Sequence, residues 1–440
     1  MYLDQLIFNA IIVTVNDRFD IFDDGALGIK DGKIAYVGEK PSNINFFNAA
    51  EIIDAGGGVV LPGLINTHTH LPMTLFRGLA DDLPLDQWLN EYIFPSEANH
   101  ISSETAYWGA LLACGEMMLS GTTTCCDGYF YESQVAAAVF QSGMRGVLGH
   151  GIVDFPAPGV PDPLKNVQTA DQYIQKWHGK TEFIKPSIFC HSPYTCSKDT
   201  LKNAKAVAQQ TGVLFQIHAS ETRQEVETCI KRHGFSPIGY LNHIGVLDNQ
   251  TLLAHCVWID DADLDIIAKT GAFVSHVPES NMKLGSGTAP VNQMISANIP
   301  VGLGTDGCAS NNTLDMFRTM NVTAKLHKVC NLDPTVMNAK TILKMATING
   351  AAAIGLKSEI GSLEIGKAAD ILIIDKRKPH LVPMYSPVSH LVYAVSGADV
   401  RHVFIGGQQV VKDRNLLTLD LDEIIEKIIA FAGVISHDTN

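Results

Sequence analysis

Residues 58–70 read GVVLPGLINTHTH. An apolar run of this length, broken only by Pro62-Gly63 and ending in polar residues, predicts strand structure buried on both faces. The run stops at Thr67-His68-Thr69-His70. In an extended segment, residues i and i+2 point to the same side. At a strand end, His68 and His70 can therefore reach one ion. An isolated His-x-His is more often two satisfied core histidines, but the position directly after a buried strand favours a metal. A catalytic site of this kind keeps one position open for water, whereas a structural zinc site is closed by four protein ligands.

The pattern repeats along the middle of the chain. Short apolar runs precede His68, Asp127, His150, His191, His218, His255, His276 and Asp306, and longer helix-like segments separate them. Eight strands alternating with helices over roughly 300 residues predict an α/β fold, a (β/α)8 TIM-like barrel whose catalytic groups sit past the C-terminal strand ends. A doubly wound open sheet would also place ligands there, but no glycine-rich phosphate loop follows the first run. After the fifth run, His218-Ala219-Ser220-Glu221 sets an imidazole and a carboxylate three residues apart, suited to a metal ligand beside a proton-transfer group. His255 follows the sixth run as a ligand, a water-orienting base or a buried histidine. Asp306, in Gly304-Thr305-Asp306-Gly307, follows the eighth and could also be a helix cap or an Asx-turn. Taken together, the strand ends predict a mononuclear site of His68, His70, His218 and Asp306, with Glu221 and His255 beside it. Zinc is the first expectation for so histidine-rich a set, and iron and manganese suit the same donors.

The two ends of the chain read differently. Residues 11–16 (IIVTVN) and 26–38 (ALGIKDGKIAYVG) are β-type, the second around an Asp31-Gly32 hairpin turn. Residues 370–375 (DILIID) and 402–411 (HVFIGGQQVV) are similar. Residues 1–60 and 361–440 are therefore expected to pair into one small sheet domain, with 61–360 inserted as the catalytic barrel; chain termini often lie close together, so this geometry is accessible. Ile424, Ile425, Ile428 and Ile429 have helical spacing near the C-terminus.

Composition narrows the partners. The 440 residues carry 32 basic and 46 acidic side chains, a net charge of −14. Nucleic-acid binding and a polybasic membrane anchor both need the opposite balance. No apolar run approaches the ~18 residues of a membrane span. Nine cysteines without a Cys-x-x-Cys pair fit neither a disulfide framework nor a thiolate zinc site. They fit a reducing, cytoplasmic setting. The N-terminal MYLDQLIFNA lacks a basic segment and does not read as a signal peptide.

The string PGLINTHTHLPMTLFRGLADDLPLDQWL, residues 62–89, resembles the amidohydrolase superfamily. More narrowly, it is similar to the aminohydrolases that deaminate 5′-methylthioadenosine and S-adenosylhomocysteine. The resemblance continues through HSPYTCS (191–197), HASET (218–222), SNMKLGSG (280–287), GTDG (304–307) and GSLEIGKAADIL (361–372). It implies a barrel with a β-sandwich from both termini, and one divalent ion without a bridging carboxylated lysine. It also implies a small nucleoside as substrate and hints at a homo-oligomer. Glu97 would accept hydrogen bonds from the two ribose hydroxyls, Trp88 would pack against the 5′ substituent, and His191 would contact the purine or ribose. Each has a plainer reading: Trp88 as a core aromatic, Glu97 as a surface acid and His191 as a buried strand-end histidine.

One departure bears on substrate. Some members place an arginine after the third strand and another in the following loop, associated with the carboxylate of the homocysteine tail. Here His150 stands at that strand end, counted among the substrate contacts, and no arginine follows before Arg223. That ranks 5′-methylthioadenosine above S-adenosylhomocysteine. In the implied chemistry Asp306 and His255 handle the attacking water and Glu221 carries the proton to the ring nitrogen. Two rivals stand beside this expectation: the same machinery acting on guanine, a pterin or an s-triazine, and a catalytically silent scaffold.

Overall fold

The computed structural model describes residues 2–43 and 47–438. Eight strands form one parallel sheet whose order follows the chain: Leu64–Thr69, Thr122–Tyr129, Arg145–Ile152, Ile184–Cys190, Phe215–Ala219, Thr251–His255, Phe273–His276 and Val301–Leu303. The sheet curls until its first and last strands meet. There the Asp306 amide donates to the His68 carbonyl (3.0 Å) and the Thr305 amide to Asn66 Oδ1 (3.1 Å). These strands are almost wholly buried, as a parallel sheet covered on both faces requires. Several of the intervening helices begin at side-chain caps, among them Ser102, Ser197, Thr222 and Asp260. Each expected apolar run thus contributes to a barrel strand, and each expected polar residue lies within three residues of a strand's C-terminal end.

The first run divides between two sheets. Val59–Pro62 pairs with Ile371–Ile374 in the terminal sheet, whereas Leu64–Thr69 opens the barrel. Both pieces are fully buried, so hydrophobicity alone reads them as one run. Gly63 is the crossing point: a Cβ there would lie 2.0 Å from Thr123 Oγ1, so only glycine lets the chain pass.

The terminal sheet has nine strands from both ends of the chain. Tyr2–Val13, Ile21–Lys30, Lys33–Glu39, Asn48–Asp54 and Val59–Pro62 come from the N-terminal side. Ile371–Ile374, Val400–Ile405, Gln408–Lys412 and Asn415–Leu416 come from the other. It is mixed, since Tyr2–Val13 runs parallel to both Asn48–Asp54 and Val59–Pro62. The hairpin turn is at Asp31-Gly32, with φ of 50° and 73°, the left-handed pair such a turn demands. Ile7, Ile12, Leu27, Ile29, Val60, Ile371 and Phe404 form a core separate from the barrel's. Across the junction Arg145, at the start of the third barrel strand, holds Asp370 through Nε (3.1 Å) and Nη2 (3.3 Å), and Gly406 N donates to the same carboxylate (2.7 Å).

Two helical features position the site. The segment after the first barrel strand contains a π-helical turn, Trp88–Ile93, running into helix Phe94–His100. Helix Leu421–Asp438 packs on helix Ser103–Leu119 and on the 3-10 turn Leu71–Phe76 that follows His70. Among the described residues, no helix is long and apolar enough to cross a membrane.

Candidate active site

The first, fifth, sixth and eighth barrel strands converge on one buried cluster. His218 Nε2 lies 3.1 Å from His68 Nε2. Asp306 Oδ1 lies 3.3 Å from His70 Nε2 and 3.6 Å from His68 Nε2. Two overlapping triads, His68/His218/His255 and His68/His70/Asp306, each keep their donor atoms within 4.8 Å of one another. Donors held about 2.0–2.1 Å from one tetrahedral ion lie roughly 3.3–3.4 Å apart, so the cluster has the spacing of a ligand shell. Its protonation agrees. Burial lowers the pKa of His68 to about 4, and burial likewise lowers His70 and His218. These imidazoles are neutral at pH 7, the form that binds metal. For Asp306, burial pushes upward, but the hydrogen bond and charges of the neighbouring histidines outweigh it and hold the carboxyl well below its usual range. The buried histidine and aspartate donors fit a divalent metal ion.

Groups behind the cluster set its orientation. His70 Nδ1–H donates to the Gly128 carbonyl (2.7 Å), which turns Nε2 inward. His255 Nδ1–H donates to Asn281 Oδ1 (2.8 Å) and its Nε2 lies 3.8 Å from Glu221 Oε2. Burial lowers His255, but the carboxylates of Glu221 and Asp306 overcome it and the net shift is upward. Burial raises Glu221, against the opposing charge of His255. Glu221 is held from behind: Glu225 accepts from the amides of Ser220 (3.0 Å) and Glu221 (2.7 Å). Ser220, His255 and Asp306 all have φ between 56° and 72°. Non-glycine residues in this region are strained, and such strain collects at functional sites.

A cavity opens beside the cluster. His70, His218, Glu221, His255 and Asp306 line it; Met73, Leu85, Trp88, Leu89, Phe94, Phe130, Ile152, Val153 and Leu284 make most of the rest apolar. Glu97 also lines it, 4% exposed, with the Tyr129 hydroxyl donating to its Oε1 at 2.6 Å. Burial pushes Glu97 up to about 7, opposed by that bond. His191 lines the same space, its Nδ1 hydrogen-bonded to Thr195 Oγ1 (3.0 Å) and its ring 5.0 Å from that of His218.

His150 does not meet the expectation of a substrate contact. Its Nε2 pairs with Asn166 Oδ1 (3.3 Å), and it lines a separate cleft with Glu132 and Lys176. Along this strand the interior face falls to its neighbours: a Cβ on Gly149 would meet Gln216 and Phe189, and Gly151 lines the cavity. Strand alternation therefore turns His150 outward. Conversely, sequence reading did not single out Tyr129, Glu225, Asn281 or Ser286. The last two lie within SNMKLGSG, quoted only as a resemblance. Ser286 Oγ lies 3.5 Å from Glu221 Oε1.

Barrel, strand-end cluster and buried acid define a metal-dependent hydrolase. The chain belongs to the amidohydrolase family, which it matches over residues 59–410, and within it stands with the 5-methylthioadenosine/S-adenosylhomocysteine deaminases. It is 47% identical to the enzyme of that name from Syntrophobacter fumaroxidans, covering 98% of each chain. It is 42% identical to the 5′-deoxyadenosine deaminase of Methanosarcina mazei, over 96% of each. Among solved structures it superposes on a zinc-bound adenosine deaminase from Xanthomonas campestris with a TM-score of 0.96 at 33% identity, over 99% of each chain.

Proposed function

We propose that the chain deaminates adenosine-type nucleosides bearing a small apolar 5′ group, 5′-methylthioadenosine foremost, to the inosine-type product and ammonia. One observation carries the reading: a single cavity is lined by His70, His218, His255, Asp306 and Glu221 and also by Glu97 and a largely apolar set of side chains. His68, His70, His218 and Asp306 would hold the metal, with zinc the first choice. When bound, such an ion lowers the pKa of a water ligand from about 15.7 towards ~7, supplying hydroxide at neutral pH.

The chain's own groups account for the remaining steps. Asp306, kept ionised, takes the proton of the attacking water, and His255, anchored by Asn281, orients that water. Glu221, its carboxyl raised by burial, delivers a proton to the ring nitrogen next to C6 as the new C–O bond forms. The proton taken from water passes to the amino group, the C–N bond breaks and ammonia leaves, while the proton remaining on the C6 oxygen returns to Glu221 as the carbonyl forms. Glu97 accepts from the ribose hydroxyls, and Trp88 with Met73 and Leu85 excludes water around the 5′ group. His191 contacts the purine or ribose. The free cysteines, eight of the nine buried, support a cytoplasmic setting.

The test is kcat/KM for 5′-methylthioadenosine and S-adenosylhomocysteine, repeated in Glu97→Ala. A carboxylate bound without a charged partner forgoes roughly 1.5–3 kcal/mol, so the homocysteine compound should be ten- to a hundredfold poorer. If Glu97→Ala turns over nucleosides as well as the parent does, the sugar assignment is wrong and a bare aromatic amidine takes its place.

A further inference from the structure

The second barrel strand ends in Asp127-Gly128-Tyr129, three residues that the scheme above leaves without a task. Each holds a different part of the site. Gly128 O accepts from His70 Nδ1–H, and Asp127 Oδ1 accepts from the Leu71 amide at 2.7 Å. Tyr129, 4% exposed, reaches the segment that crosses the barrel mouth and donates its hydroxyl to Glu97 Oε1 at 2.6 Å. Burial keeps the phenol's pKa well above its usual value, so it remains a donor throughout the working pH range.

We propose that Tyr129 is a positioning residue of the sugar subsite: it engages one oxygen of Glu97 and presents the carboxylate, ionised, to the 2′ and 3′ hydroxyls of the nucleoside. This rests on the nucleoside reading of the cavity. A carboxylate offers about four lone-pair sites. One bond to Oε1 fixes the plane of the group and leaves Oε2 free to accept. A protonated Glu97 would carry a hydrogen where the sugar needs an acceptor. Burial places Glu97 near this changeover, at about 7, and the Tyr129 bond is what opposes it. The other titratable groups lining the cavity are His70, His191, Tyr194, His218, Glu221, His255 and Asp306. Among the described residues, none of them is hydrogen-bonded to Glu97. Diol binding should then weaken as pH falls through about 7, because the accepting form of Glu97 is lost.

Tyr129→Phe removes the hydroxyl and keeps the ring. With 5′-methylthioadenosine we expect KM to rise roughly tenfold, as for one charge-assisted hydrogen bond, with kcat within about threefold and metal content unchanged. The acid limb of kcat/KM should move to higher pH. A 2′,3′-dideoxy analogue should not distinguish variant from parent. Glu97→Gln, which cannot titrate, should lose the limb, and adding Tyr129→Phe should then move nothing. A Tyr129→Phe protein with lowered kcat but KM and acid limb in place would overturn the proposal and leave the tyrosine a fold contact. Equal use of ribosyl and dideoxy substrates by the parent would remove the sugar subsite. A parent that releases no ammonia from any adenosine-type nucleoside would instead overturn the underlying reading.

Discussion

Glu221 and His150 are both buried titratable residues near strand ends, and their surroundings give them opposite uses. Glu221 faces the cavity, 3.8 Å from His255 Nε2. Glu221→Gln keeps its shape and removes the transferable proton. Turnover should fall by at least the ~10²-fold typical of a lost general acid/base, while metal analysis returns the parent's content. Undiminished turnover would move the role to another residue. His150 faces outward and is held down to about 4 by burial. The unfolded chain takes that proton near 6.5, so acid favours unfolding. Its contribution to stability is complete above pH 6.5 and is lost as pH falls towards 4. The loss amounts to about 3 kcal/mol at most. On acidification the thermal midpoint should therefore fall more steeply for the parent than for His150→Phe; parallel curves would contradict the assignment. Both histidine and glutamate were visible in the sequence as strand-end residues. Which side of the strand each occupies was not.

At the scale of elements, the strand ends are the legible feature. Every polar residue expected to follow an apolar run sits within three residues of a barrel strand's C-terminus, because buried parallel strands read as uninterrupted hydrophobic stretches. The same logic failed at residues 58–66, where two buried strands of different sheets join through Gly63 without a change in hydrophobicity. The join between barrel and terminal sheet is instead marked by a buried ion pair between residues 225 positions apart, Arg145 and Asp370. Asp370→Ala would leave the Arg145 guanidinium buried without its partner, at a cost of about 3–5 kcal/mol. Unfolding experiments should register that loss, and deaminase activity of the folded fraction should be unaffected. A change below about 1 kcal/mol, typical of surface pairs, would mean that water reaches the junction.

Across the whole molecule, three imidazoles and a carboxylate are gathered from strands far apart in the chain, an arrangement that a bound cation stabilises. Binding adds RT ln(1 + [L]/Kd), about 4 kcal/mol at a thousandfold excess over Kd. Metal-stripped protein should melt earlier and recover on addition of zinc, whereas His70→Ala should recover little. A midpoint indifferent to zinc would argue against the site. What the sequence by itself determined is the set of parts: eight strands with polar ends, the hairpin at Asp31-Gly32, the histidines, Glu221 and Asp306, and a net charge that excludes phosphate-backbone partners. These follow from local periodicity, turn chemistry and composition, each readable within a short window. Only the tertiary structure decided the pairing of Tyr129 with Glu97, the anchoring of His255 by Asn281, the support of Glu221 by Glu225, and the outward face of His150. Each depends on strand rotation, on backbone held at positive φ, or on contact between residues distant in the chain, and no short stretch of sequence encodes where its side chains will meet those of another.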